Sequence, residues 1–276
     1  MAEIVNYINL HNHSEASLLD GLCRIEDLAK KLKELGQNAC SITDHGNTFN
    51  HINAYQIFKK YGIKLIPGIE AYIRLDKVFK DEKRVGHYYF NEKLDNIKSY
   101  LSEKHVQFYN NNQYVRTYIP EEELNLIKSH LSLSESSVTE SRKRNHLTII
   151  AKNREGLRNL NKLSIISNTT GFYHYPSLDI GDIVKHKDGL IILSGCMASP
   201  LSQMVIFNEE QFDGMLDIFK ESFGDNFYLE IMYTGVPEQL KILYKFREVS
   251  IKQNIPIVAT SDIHYVEKND AFVQEV

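Results

Sequence analysis

Apolar residues along this chain fall into two rhythms, short unbroken runs and runs at helical spacing, divided by glycines and small polar clusters. Residues 4–10 form the first short run and read as a strand. Ile25, Leu28, Leu32 and Leu35 then follow at helical spacing that stops at Gly36,. A second strand is predicted over 38–43, closed by the turn-forming cluster Asp44-His45-Gly46-Asn47, and a helix over 49–61 that ends at Gly62,. A third strand spans 64–67, with Glu70 just beyond Gly68. Later runs at 147–151, 190–193, 227–232 and 255–259 read as strands, and 154–167, 209–223 and 237–253 as helices. The repeated order implies parallel strands joined by crossover helices, and about seven such units fit an α/β barrel.

The middle breaks this rhythm. From 76 to 145 the chain is polar, with Asn110-Asn111-Asn112 and a serine-rich stretch over 132–141. It reads as an insertion within a single domain spanning 1–276, with helices predicted over 92–103 and 121–130. No internal repeat is evident.

Composition adds bounds. At 276 residues, 42% hydrophobic and 25% charged, the chain can bury a substantial core,. A formal net charge of -4 gives no overall pull on nucleic acid, so contact with a phosphate backbone needs a local patch or bound cations,. Cys23, Cys40 and Cys196 form neither a disulfide framework nor a Cys-x-x-Cys zinc motif, which implies a reducing, cytoplasmic setting,. No leader opens the chain and no run approaches the ~18 apolar residues of a membrane span, so a soluble protein with no membrane partner is expected,.

The candidate chemistry lies at strand ends. His11 and His13 near the start, and Asp262 and His264 near the finish, stand at i and i+2, where an extended chain turns both side chains to one space,. His45 and Glu70 also fall where parallel sheets place ligands. Imidazoles, carboxylates and a thiolate suit zinc, iron or manganese, but by spacing alone a metal site and an ordinary polar interior stand level. Asp44 reads equally as a turn residue or as a group that orients His45. His51, His105, His130, His174 and His186 read as surface or core residues, and His87, within Gly86-His87-Tyr88-Tyr89-Phe90, as part of a packed hairpin,.

Longer segments decide between these. His11-Asn12-His13-Ser14-Glu15, Ser17-Leu18-Leu19-Asp20-Gly21, Ile42-Thr43-Asp44-His45-Gly46-Asn47, Pro67-Gly68-Ile69-Glu70-Ala71-Tyr72, His146-Leu147-Thr148, Ser194-Gly195-Cys196 and Ser261-Asp262-Ile263-His264 resemble the polymerase and histidinol phosphatase (PHP) domain. The version they resemble stands at the N-terminus of the alpha subunit of bacterial replicative DNA polymerase III. The resemblance implies a distorted (β/α)7 TIM-like barrel, the PHP fold, holding a trinuclear metal centre of zinc, manganese or iron. Carried over motif by motif, His11, His13, Glu70 and Asp262 hold one ion, Glu70, His146 and Cys196 a second, and Asp20, His45 and His264 a third. Every one of these positions carries a competent ligand.

Retention of the full set implies retained chemistry, phosphoester hydrolysis and, in the polymerase setting, 3′–5′ exonuclease proofreading at a DNA 3′ end. Arg142, Lys143 and Arg144, with Lys152, Arg154 and Arg158 nearby, form the clearest basic concentration, and Arg74 is a second candidate phosphate contact; the alternative for all is a solvated surface,. The chain stops at Val276 with no polymerase active site, so it reads as an N-terminal domain or a split-gene product, cellular or viral, whose partners are the remaining polymerase domains or other replisome subunits. Two other readings compete: a structural module that supports the polymerase or docks a separate exonuclease, and a free-standing small-molecule phosphatase. Asp20 and Cys196, where the phosphatases tend to use histidines, argue against the last.

Overall fold

Helical spacing and short apolar runs set most of the elements. The computed structural model describes residues 7–74, 85–106, 108–110, 113–140, 145–172, 175–207 and 209–274. Helix α1 (Ile25–Glu34) buries Ile25, Leu28, Ala29 and Leu32, with Glu26 and Asp27 in its first turn and Lys31 and Lys33 in its last, as the helix dipole favours,. Strand β1 (Ala39–Ile42) is buried throughout, and α2 (His51–Tyr61) closes at Gly62. Strand β2 (Lys64–Arg74) runs well past the expected end at Pro67. Gly68 does not break it: a Cβ there would lie 2.7 Å from Thr43 Cγ2 and 2.9 Å from the Ile149 carbonyl oxygen, so neighbours on both sides demand a glycine,.

The polar middle holds more order than its composition suggests. Strand β3 (Val85–Phe90), α3 (Leu94–Glu103), β4 (Phe108–Asn110), β5 (Val115–Pro120), α4 (Glu121–Leu131) and β6 (Val138–Glu140) build an antiparallel sheet of order β4-β5-β3-β6. Its own core contains Tyr88, Phe90, Ile97, Leu101, Val115, Ile119, Leu124 and Ile127. The two helices match expectation; the strands exceed it. In β5 the buried face is Val115, Thr117 and Ile119, and its central polar residue hides the alternation.

The chain then continues through β7 (Asn145–Ala151), α5 (Arg154–Asn168), β8 (Ser177–Asp179), α6 (Ile180–Lys185), β9 (Leu190–Leu193), α7 (Pro200–Phe207), α8 (Phe212–Phe223), β10 (Phe227–Ile231), α9 (Pro237–Gln253), β11 (Ile257–Ala259) and α10 (Ala271–Gln274). The main sheet has order β1-β2-β7-β9-β10-β11, with β8 paired to β2. Strands β1, β2, β9, β10 and β11 form parallel pairs, but β7 runs antiparallel to both β2 and β9, a correction to the all-parallel expectation. Because β2 and β7 are antiparallel, the chain leaves β2 and re-enters β7 at the same end of the barrel,.

Closure falls to a segment with no ladder of its own. Of the expected first strand, residues 4–6 lie outside the described residues, and 7–10 form no strand. Instead Ser41 and Thr43 donate backbone hydrogen bonds to Asn9 and Asn12 (3.2 and 2.9 Å), while His13 and Ile263 bond to Ile263 and His11 carbonyls (2.8 and 3.2 Å). The 9–13 segment thereby bridges the ends of β1 and β11 and completes a distorted barrel. Leu147, Ile149, Ile192 and Leu229 pack outward against the helices. Among the described residues, no helix is long and apolar enough to cross a membrane.

Candidate metal centre

One end of the barrel gathers all nine predicted side chains. His11 and His13 come from the closing segment, Asp20 from the turn after it, His45 from the loop after β1, and Cys196 from the loop after β9. Glu70 lies inside β2. His146 sits at the start of β7, opposite Tyr72, because the reversed direction of that strand brings its amino end to the others' carboxyl ends. Asp262 and His264 follow β11, though not as an alternating strand pair: Asp262 adopts φ 48°, in the left-handed region,. Its carboxylate meets the site through that turn.

Glu70 is the shared centre. Its Oε1 lies 3.2 Å from His11 Nε2, 3.0 Å from His146 Nδ1 and 3.4 Å from Cys196 Sγ. Its Oε2 lies 3.3 Å from His13 Nε2 and 2.7 Å from His45 Nδ1. Asp262 Oδ1 stands 3.4 Å from His11 Nε2 and 3.2 Å from His13 Nε2. On the outer side, Asp20 Oδ2 is 2.7 Å from His45 Nε2 and 2.9 Å from His264 Nε2. Three sets have donor atoms within 4.8 Å of one another: His13, Asp20, His45 and His264; His11, His13 and Glu70; His45, Glu70 and His146.

These residues fit divalent ions on two grounds. His11 Nε2, His13 Nε2, His45 Nδ1, Glu70 Oε2 and Asp262 Oδ1 are buried and face one another without forming well-directed hydrogen bonds, a costly condition unless something else occupies their lone pairs,. Ligands ~2.1 Å from a tetrahedral ion sit roughly 3.4 Å apart. The Glu70 and Asp262 contacts with His11 and His13 have that spacing.

Electrostatics agree. Burial opposes the charge on His11, yet Asp262, Glu230 and Glu70 together hold its pKa well above the usual range. His45 is likewise held at about 10 by Glu70 and Asp20 against burial, and His264 is raised by Asp20 and Asp262. His13 goes the other way, because burial outweighs its contact with Asp262. Hydrogen bonds from His264 and His45 hold Asp20 far down; Glu70 overcomes burial through His146, His11 and His45. Burial, Glu70 and Asp262 push the Cys196 thiol well up. An added cation reverses that field and favours the thiolate.

The positions of the nitrogens are set from behind. Glu230, 1% exposed, lies with Oε1 2.7 Å from His11 Nδ1, which can only donate to it, leaving Nε2 facing the cavity,. Glu230 also accepts from Thr260 Oγ1 (2.6 Å), Thr148 Oγ1 (3.0 Å) and the Gly195 amide (3.0 Å). One carboxylate thus ties the His11 segment to β7 and to the loops bearing Cys196 and Asp262. Sequence reasoning missed it; the signal was a lone acid inside the apolar run 227–232. Ser17 lies 2.9 Å from His13 Nδ1 and donates to Asp44, which also accepts from the Ser14 amide and hydroxyl. Asp44 therefore supports His13 through Ser17 rather than orienting His45.

Of the predicted phosphate contacts, the described residues place only some. Arg142, Lys143 and Arg144 lie outside the described residues. Lys152 follows the far end of β7, about 20 Å from His146 at ~3.3 Å per residue, and Arg158 pairs with Glu155 at 3.2 Å on α5. Sequence proximity misleads here because a strand's two ends lie at opposite ends of a barrel. Arg74 pairs with Asp179 at 3.2 Å, so its charge already has a carboxylate partner. Of the other histidines, His51 is a core residue, its Nε2 bonded to the Gly68 carbonyl at 2.9 Å, while His174 and the His87 side chain lie outside the described residues.

Known proteins bear on this arrangement. The chain is 33% identical over 287 residues to DNA polymerase III subunit alpha of Helicobacter pylori, covering 100% of this chain and 19% of that protein. It is 30% identical over 272 residues to the same subunit of Aquifex aeolicus, covering 98% and 19%. The chain therefore spans about a fifth of the length of these curated relatives. A solved amidohydrolase from Chromobacterium violaceum, with bound sulfate and no metal, superposes with TM-score 0.50 at 10% identity, covering 95% of this chain and 88% of that one, a likeness of fold alone. A family profile described as the PHP domain matches residues 9–234, which run from the closing segment to just beyond the strand bearing Glu230. On that match the chain belongs to the PHP domain family.

Proposed function

We propose that this chain is a metal-dependent phosphoesterase domain of a replicative DNA polymerase alpha subunit, and that it removes nucleotides from DNA 3′ ends. One observation carries the proposal: five buried donor atoms from four segments, none of them in a well-formed hydrogen bond, converge on one point. His11, His13, Glu70 and Asp262 would hold one ion, Glu70, His146 and Cys196 a second, and Asp20, His45 and His264 a third, with zinc, manganese or iron as the fitting metals. Bound there, such ions supply an activated water and neutralise phosphoryl charge. The chain's own residues do the rest. Glu230 and Ser17 fix the imidazoles of His11 and His13, and Glu70 holds five neighbours at one point. The relatives named above support DNA as substrate, the other polymerase domains and replisome subunits as partners, and the cytoplasm as location. The 76–145 segment is, on this reading, an insertion within the single domain.

The test is manganese- or zinc-dependent release of nucleotides from a 3′-labelled primer by the chain, its His11→Ala form and its Asp262→Ala form. Release is expected from the first only. Equal release by both variants, or none from the metal-loaded parent, sinks the enzymatic reading.

A second reading has its own support. The donors link the 9–13 segment to residues 262–264, the place where hydrogen bonds close the barrel, so an ion could serve as a clasp. A large metal-dependent rise in Tm without turnover would favour that structural role.

A further inference from the structure

Beside the centre, two tyrosines form a wall that phosphate chemistry does not require. Tyr72 follows Glu70 by two residues on β2 and shares its face. Its ring lies 5.4 Å from that of His45 at an interplanar angle of 12°, and meets His146 edge-on at 5.2 Å. Tyr175 lies beside it, 5.6 Å from Tyr72 with its ring tilted by 51°, and is 47% exposed. The pair is held against the His45 loop: Gly46 has φ 62°, and a Cβ there would come within 2.4 Å of Pro176 Cγ and 3.4 Å of Tyr72 Cδ2. Asn168 Nδ2 pins the same loop by donating to the Gly46 carbonyl at 2.9 Å. The turn that carries Asp20 adds Leu18 and Leu19, 78% and 108% exposed, with Leu19 in the left-handed region at φ 64°. Apolar surface thus borders the site at that turn as well.

We infer that Tyr72 and Tyr175 form a stacking platform for the base of the nucleotide whose phosphate enters the centre. This rests on the phosphoesterase reading above and adds to it the side chains that hold the base. A cluster of ions recognises phosphate but not what the phosphate is attached to. An aromatic face leading from that cluster to solvent accepts any of the bases, since each offers a π-face, as suits a terminal nucleotide of any sequence. Tyr72 sits against two of the imidazoles, and Tyr175 adds exposed surface beside it.

The experiment is calorimetric titration of the manganese-loaded protein with 2′-deoxyadenosine 5′-monophosphate and, separately, with 2-deoxyribose 5-phosphate. The nucleotide is expected to bind about tenfold more tightly, the scale of one base–aromatic stack. Tyr175→Ala, a change at an exposed position, should erase that advantage and leave the sugar phosphate unaffected, whereas Tyr175→Phe should preserve it. Equal affinities in the parent protein, no binding of either compound, or an advantage that survives Tyr175→Ala overturns the inference. The companion primer assay separates the two ideas. A nucleotide advantage with no release from DNA removes the exonuclease and leaves the platform, while release at equal rates from ends with and without a terminal base does the reverse.

Discussion

Between β3 and β6 the chain seals Phe90, Ile97, Leu101, Val115 and Ile119 against one another, whereas the barrel lumen seals His11, Asn12, His13, Glu70, Thr148 and Glu230. Both sets of residues are buried. The first gains free energy from every apolar area it buries. The second buries groups whose desolvation is costly, and it leaves several of them without well-directed hydrogen bonds,. The barrel tolerates this because its apolar layer lies elsewhere: along β7, Leu147 and Ile149 face the helices while His146 and Thr148 face the lumen. A sheet curled into a barrel separates the two tasks by side-chain alternation. The smaller sheet gives the face that bears Phe90, Val115 and Ile119 to packing.

The sharpest way to break the comparison is Glu70→Ala. It removes the group shared by two of the three donor sets, so metal binding should weaken by well over ~100-fold, the upper range for losing a mere supporting partner. Metal content of the dialysed protein measures this; unchanged content would show that the lumen is an ordinary polar core. Phe90→Ala should do the opposite. A buried phenylalanine lost from a packed core costs about 3–5 kcal/mol, visible in chemical denaturation, while metal affinity of the folded protein stays put. A parallel fall in affinity would mean that the two interiors are coupled.

Glu230→Gln comes next in size. The amide can hold the shape but presents hydrogens to donors, so His11 loses its orientation. Metal affinity should drop roughly 10- to 100-fold, with a smaller loss of metal-free stability. Loss of stability alone would make Glu230 a brace for the strands and nothing more.

The pH dependence is of similar size, but graded rather than all at once. Without metal His45 stays protonated up to about 10, held there by Glu70 and Asp20 against burial. An ion must displace that proton, so affinity should strengthen from pH 6 to pH 8, by up to about tenfold per unit for each proton released. In the metal-free protein the sign reverses. The stability His45 contributes is fully present below the unfolded value of about 6.5 and lost as pH rises through about 10,. Titrations in buffers of differing ionisation enthalpy, and melts in chelator, check both; a pH-independent affinity contradicts the charge assignment.

Much of this was legible along the chain. The helices, the main strands and the barrel followed from spacing, and the motif series named the nine side chains that the structure brings to one end of the barrel. What escaped were features that carry no local period. The closing segment reads as a strand, yet it works through isolated backbone bonds to β1 and to Ile263. Thr117 masks the alternation of β5, and Glu230 sits in an apolar run that gives it no local role.

By itself, then, the sequence determined which side chains are available and which segments bury an apolar face, because both are local properties. Only the tertiary structure decided that β7 runs backward. That reversal brings His146 to the site and carries Lys152 to the far end. Only it decided that one carboxylate, Glu230, reaches four segments distant in sequence. Those outcomes depend on how strands are ordered and directed around the barrel, and no window of residues records that order.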